Sequence, residues 1–105
     1  MAEIKNVNST EYPFEISQGV VVADFWAPWC SNCRMLSPVV DQLAEKFAGQ
    51  VHFIKVNVDE NEALAAQNEV QTLPTLIMYK NGEEKNRSVG FKLRVALERM
   101  IQELL

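Results

Sequence analysis

Two cysteines stand three positions apart in Cys30-Ser31-Asn32-Cys33, and the chain has no others. One turn of helix brings sulfurs at this spacing within bonding reach, so the pair can cycle between dithiol and disulfide. The same residues could supply half of a tetrahedral zinc site or form a structural bridge. A zinc site needs two further ligands, and the only histidine, His52, falls inside a predicted strand; no metal is expected. A bridge closing so short a loop would remove little chain entropy. Thiol–disulfide exchange is the chemistry best matched to the pair.

The elements that position the cysteines strengthen this assignment. Val20-Val21-Val22-Ala23-Asp24-Phe25-Trp26 reads as a buried strand, with apolar residues on both faces as a covered parallel sheet requires. Leu36, Val39, Val40, Leu43, Ala44 and Phe47 follow a helical period and form one apolar stripe. The cysteines sit at the junction of the two. Cys33, three residues before Leu36, extends the stripe backwards and is expected to be shielded. Cys30 falls at or before the helix start and is expected to be exposed. Free N–H groups and partial positive charge at a helix N-terminus favour a thiolate over a thiol. Cys30 is therefore the predicted attacking thiol, and Cys33 the thiol that resolves the mixed disulfide. Asp24 is the only charge between Val20 and Trp26. Burial would raise its pKa and suit it to take the proton of Cys33; the alternative is a carboxylate facing water near a strand end.

Elsewhere the pattern predicts alternating elements. Ile4 to Val7 is a short strand, and Ser9 or Thr10 caps a short helix running to about Ile16. Pro38 lies within the long helix and predicts a kink. Gly49 ends that helix, and Val51 to Val58 is a strand that carries Lys55, either a solvated lysine or a partner of Asp24. Asp59 caps a helix from Glu60 to about Asn68. Thr75 to Lys80 and Glu84 to Val89 form a hairpin around Asn81-Gly82. The last helix has Leu93, Ala96, Leu97, Met100, Ile101 and Leu104 as its apolar face. The order β-α-β-α-β-α-β-β-α predicts an α/β fold: right-handed parallel crossovers, an antiparallel edge, and helices on both faces of a mixed sheet.

The sequence of 105 residues is 48% hydrophobic and 23% charged, enough for one domain over 1–105 that folds without a staple. Its 14 acidic residues outnumber 10 scattered Lys and Arg, for a net charge of -4, which argues against nucleic acid and against an anionic membrane surface as partners. No apolar run is long enough to span a bilayer. The start, Met1-Ala2-Glu3-Ile4-Lys5-Asn6, lacks a basic region followed by an apolar stretch, so a secretory leader is not expected and the cytoplasm is the predicted location.

The segment Asp24-Phe25-Trp26-Ala27-Pro28-Trp29-Cys30-Ser31-Asn32-Cys33-Arg34 resembles the active-site segment of thioredoxins. The likeness extends through Pro38, Lys55 to Asp59, Leu73-Pro74-Thr75, Asn81-Gly82 and Val89-Gly90. It implies the thioredoxin fold, a five-stranded mixed sheet flanked by four helices. It also implies a protein-disulfide reductase with no bound cofactor, whose Cys30–Cys33 disulfide takes electrons from a thioredoxin reductase and passes them to disulfide-containing protein substrates, working as a monomer. By resemblance, Asp24 matches a buried carboxylate that helps deprotonate the resolving thiol, Lys55 the lysine beside it, and Pro74 a cis-proline facing the disulfide, although an ordinary trans proline would also suit that position. Trp29, Thr72, Leu73, Pro74, Gly90 and Phe91 fall where the family docks its partners; Trp26, Ser31, Asn32 and Pro38 support the site. Trp26 reads mainly as packing and Trp29 as partly exposed beside Cys30. The chain departs from the family in carrying Ser31-Asn32 for Gly-Pro, Thr72 for glycine, Phe91 for alanine and Arg34 for lysine. The Ser31-Asn32 departure bears on the redox potential, Thr72 and Phe91 on the choice of partner. A redox protein dedicated to one partner and a binding module without turnover are the competing functions. Keeping both cysteines, Asp24 and Pro74 argues against the second.

Overall fold

Val20 to Trp26 forms the central strand of a sheet in a computed structural model that describes residues 4–105. Residues 1–3, part of the start read above as lacking a leader, lie outside the described residues. The strands are β1 (Lys5–Asn6), β2 (Val20–Trp26), β3 (Val51–Asn57), β4 (Thr75–Lys80) and β5 (Glu83–Val89). The helices are α1 (Tyr12–Glu15), α2 (Ser31–Lys46), α3 (Glu62–Gln67) and α4 (Arg94–Gln102). The sheet order is β1-β3-β2-β4-β5. The strands β1, β3 and β2 run parallel, while β4 is antiparallel to β2 and β5 antiparallel to β4. The expected mixed sheet is thus present, and Asn81 and Gly82 both take the positive φ of a primed hairpin turn.

Side-chain alternation along β2 assigns the two cores. Val20 and Val22 face Leu36, Val40 and Leu43 of α2 and Leu97 and Ile101 of α4. Val21, Ala23 and Phe25 face the other way, toward Tyr12 of α1 and Leu64 of α3. Asp24 has the same parity as Val22 and so lies on the α2 face. Lys55 pairs with it in the β2–β3 register. Two residues 31 positions apart are thereby set side by side beneath the start of α2.

Several expected details differ. The chain entering α1 is capped by Asn8, not by Ser9 or Thr10. Asn8 Oδ1 accepts from the Glu11 N–H at 2.9 Å, and Glu11 Oε1 accepts from the Asn8 N–H at 3.1 Å, a reciprocal capping box. The Ser9 N–H instead donates to Asn61 Oδ1. The third helix begins at Glu62 rather than Glu60, and Asp59 does not cap it. Leu93 precedes α4 and is exposed, as is Ala96, so the buried face of that helix rests on Leu97 and Ile101. His52 is exposed on β3, its Nε2 2.7 Å from Glu15 Oε1. Pro38 lies inside α2, as expected, but its side chain is exposed and takes no part in the apolar stripe.

Candidate active site

The helix α2 begins where β2 has delivered the chain to the sheet's C-terminal edge. Cys30 is its N-cap, with extended backbone at φ -88° and ψ 110°, and its carbonyl accepts the first helical bond, from the Arg34 N–H. The Cys33 N–H donates to Cys30 Sγ at 3.1 Å, which places a free helix-terminal donor on that sulfur. The two cysteines form a disulfide, with Cα atoms 5.2 Å apart.

The expected contrast in exposure is not found. Cys30 is 6% exposed and Cys33 7%, because Trp26, Ala27, Val58 and Leu73 pack around both. Val58 and Leu73 come from distant loops, so this cover has no signal in local spacing. The sulfurs differ instead in what each side opens onto. Cys33 lines a cavity of about 210 Å³ with Asp24, Trp26, Arg34, Ser37 and Lys55. Cys30 lines a shallower groove of about 550 Å³ with Trp29, Val58, Asp59, Thr72 and Leu73.

Asp24 is 4% exposed, and among the described residues its Oδ1 has no hydrogen-bond partner. Burial pushes its pKa up to about 7; the positive charge of Lys55 pulls the other way, and the negative charge of Asp41 adds a smaller upward push. Of the two alternatives for Asp24, the buried one is observed. The Lys55 Nζ sits 5.5 Å from the Trp26 ring centroid, a cation–π contact that holds the ammonium in the cavity wall. Trp26 Nε1 donates to Asn6 Oδ1. The exposed Arg34 guanidinium donates to the Pro28 carbonyl at 2.9 Å.

On the groove side Trp29 is 67% exposed, and its Nε1 donates to both carboxylate oxygens of Asp59 at 3.1 Å. Asp59 thus joins the site after being read from the sequence only as a helix cap. A carboxylate placed two residues past a strand end, on the same sheet edge as the cysteines, was the available signal. The Leu73–Pro74 peptide is cis. Thr72 is exposed and accepts from the Thr75 hydroxyl through its carbonyl. Gly90, at φ +84°, donates its N–H to the Pro74 carbonyl at 2.8 Å and ties the end of β5 to this loop. Phe91 is half-buried and packs against the α2–α4 core. Ser31 and Asn32 are exposed, and among the described residues their side chains make no hydrogen bond. Pro38 lines neither opening. Among the described residues no three His, Cys, Asp or Glu side chains cluster as metal ligands, and no helix is long and apolar enough to cross a membrane.

Comparison with known proteins agrees with this geometry. The family profile described as Thioredoxin matches residues 3–103. The chain is 42% identical over 101 residues to a thioredoxin of Bacillus subtilis, covering 94% of this chain and 97% of that one. It is 40% identical over 105 residues to a thioredoxin of Staphylococcus saprophyticus, covering both chains in full. Among solved structures, mitochondrial thioredoxin 3 from Saccharomyces cerevisiae in its oxidised form superposes with a TM-score of 0.88 at 34% identity, covering 96% of this chain and 95% of that one.

Proposed function

The chain belongs to the thioredoxin family and is a protein-disulfide oxidoreductase, and on that premise we propose that Cys30 is the attacking thiol and Cys33 the resolving thiol. The Cys30 thiolate attacks one sulfur of a substrate disulfide. A mixed disulfide forms, and the displaced substrate sulfur takes up a proton. The Cys33 thiolate then attacks Cys30 Sγ, the second substrate thiol leaves and takes a proton, and two electrons have passed to the substrate. The observation that carries this assignment is the Cys33 N–H aimed at Cys30 Sγ from the first turn of α2. In the dithiol the same donor and the helix dipole would stabilise a thiolate on Cys30 rather than on Cys33.

Asp24 is the proton acceptor for Cys33. It lines the same cavity, and a pKa near 7 lets it change protonation at neutral pH. Lys55 positions and tunes that carboxylate, with Trp26 holding the lysine. Trp29, Thr72, Leu73, Pro74 and Gly90 form the docking surface for an extended substrate segment, which can pair with the backbone beside Pro74. The partly core-bound Phe91 flanks that surface. Ser31 and Asn32 complete the first turn of α2. Residues 1–105 act as one domain and as a monomer. A thioredoxin reductase recharges the disulfide, disulfide-containing proteins are the substrates, and the cytoplasm, where a reducing thiol pool prevails, is the working location.

Reduction of insulin disulfides with dithiothreitol as the electron source tests this assignment. Cys30→Ser should fall to the background rate, and Cys33→Ser should accumulate a mixed disulfide through Cys30. Unchanged turnover in Cys30→Ser, or trapping through Cys33 in place of Cys30, would overturn the roles.

A further inference from the structure

The two openings beside the disulfide carry opposite charge. Both basic side chains that line either of them, Arg34 and Lys55, belong to the cavity on the Cys33 side. Among the described residues, no lysine, arginine or histidine lines the groove on the Cys30 side. Its charged residues are Asp59 and Glu62, above an apolar floor that includes Val58, Ala65, Val70 and Leu73. The partner of Asp59 is the neutral Trp29 indole, which fixes the carboxylate's orientation without cancelling its charge. Glu62 is exposed, and among the described residues neither acid forms an ion pair. A segment presented to Cys30 lies along an apolar trough with two uncompensated negative charges on its wall.

We infer that this groove selects substrate disulfides in which an apolar side chain and a lysine or arginine flank the cysteine under attack. The apolar side chain fills the floor, and the cation lies against Asp59 and Glu62. An acidic residue in that position meets like charge and is disfavoured. This preference rests on the assignment of Cys30 as nucleophile, since only that sulfur lines the groove. Each exposed pair is weak, and the two acids together give a preference of about tenfold for a basic over an acidic flank at low salt, which is about 1.4 kcal/mol.

Three peptide disulfides of one sequence, with Lys, Gln or Glu beside the cysteine, provide the test. Each is reduced by the dithiol form of the full chain and, separately, by dithiothreitol, which reports the peptides' own reactivity. The protein should show a Lys-to-Glu ratio of kcat/KM about tenfold above the dithiothreitol ratio. In high salt it should collapse toward that ratio, because exposed charges are screened. Glu62→Lys should abolish the preference, because the new cation offsets Asp59. A ratio equal to that of dithiothreitol, or one indifferent to salt and to Glu62→Lys, would overturn the inference and leave the Cys30 chemistry standing. Failure to reduce any of the three peptides would overturn the Cys30 assignment and the inference with it.

Discussion

The two sides of the disulfide are built on different physical terms. On the Cys33 side the carboxylate of Asp24 and the sulfur are buried, and the half-buried Lys55 is set beside Asp24 by the β2–β3 register. On the Cys30 side the groups come from loops: Trp29, Asp59 and Thr72 are exposed and Leu73 is half-buried. Burial makes the inner carboxylate costly and sensitive to protonation, whereas exposure makes the outer residues cheap to alter and dependent on a partner for their energy. Proton handling is thus tied to fold stability, and partner choice is largely free of it.

Asp24→Asn tests this contrast most severely. The pKa of Asp24 rises from an ordinary 3.8 to about 7 on folding. The folded state therefore holds this proton more tightly than the unfolded state between those values. Stability is greatest below pH 4 for this group and falls as pH rises through 7. The rise from 3.8 to about 7 corresponds to about 4 kcal/mol lost above pH 7. Asparagine keeps the shape and removes the charge. The variant should be more stable than the parent at pH 8 by a few kcal/mol, with the difference vanishing near pH 4, as read by denaturant unfolding across that range. Resolution of the mixed disulfide should slow by about a hundredfold at neutral pH, the lower end of general-base effects. A variant whose stability tracks the parent at every pH would remove the coupling between proton handling and fold.

Trp29→Ala is the complementary cut on the outer side. With 67% of its surface exposed, Trp29 contributes little to the core, so stability should change by less than about 0.5 kcal/mol. Its indole is the large apolar element beside Cys30, and aromatic anchors dominate docking energies. KM for insulin should rise about tenfold with kcat nearly kept. A large loss of stability, or a kcat effect with KM unchanged, would erase the distinction between the two sides.

The same division governs how much was legible in the sequence. The inner side was readable because its signals are local or periodic. Alternation in β2 fixes the face of Asp24, and the apolar stripe of α2 fixes the face of Cys33. The N-cap position of Cys30 followed from where strand and stripe meet. What failed depends on contacts between distant segments. The cover over Cys30 comes from Val58 and Leu73. Asp59 was read as a cap because local sequence cannot show that Trp29, 30 residues earlier, supplies its donor. Asn61 looks like a cap as well, but its side chain is taken by Ser9 and by the Asn57 carbonyl. The cis geometry at Pro74 was legible only through family resemblance, since local sequence favours trans.

The loop that forms the far wall of the groove offers the smallest and cleanest test. Glu69 sits at φ 55°, a left-handed conformation that a residue with a Cβ adopts at a cost of about 1–2 kcal/mol. Glycine there would relieve that cost but lose about 0.5–1 kcal/mol more entropy on folding. The Glu69 side chain is exposed, and its attraction to Arg87 across solvent is worth a few tenths of a kcal/mol at most. The balance favours the folded state, so Glu69→Gly should stabilise the protein by about 0.5 kcal/mol and raise Tm by about 2–4 °C in a calorimetric scan. Because Glu69 lines neither opening, insulin turnover should be unaffected. A loss of stability would mean that the glutamate earns its strained position through the Arg87 charge, and would place a stability-bearing contact on the side of the molecule otherwise given over to partners.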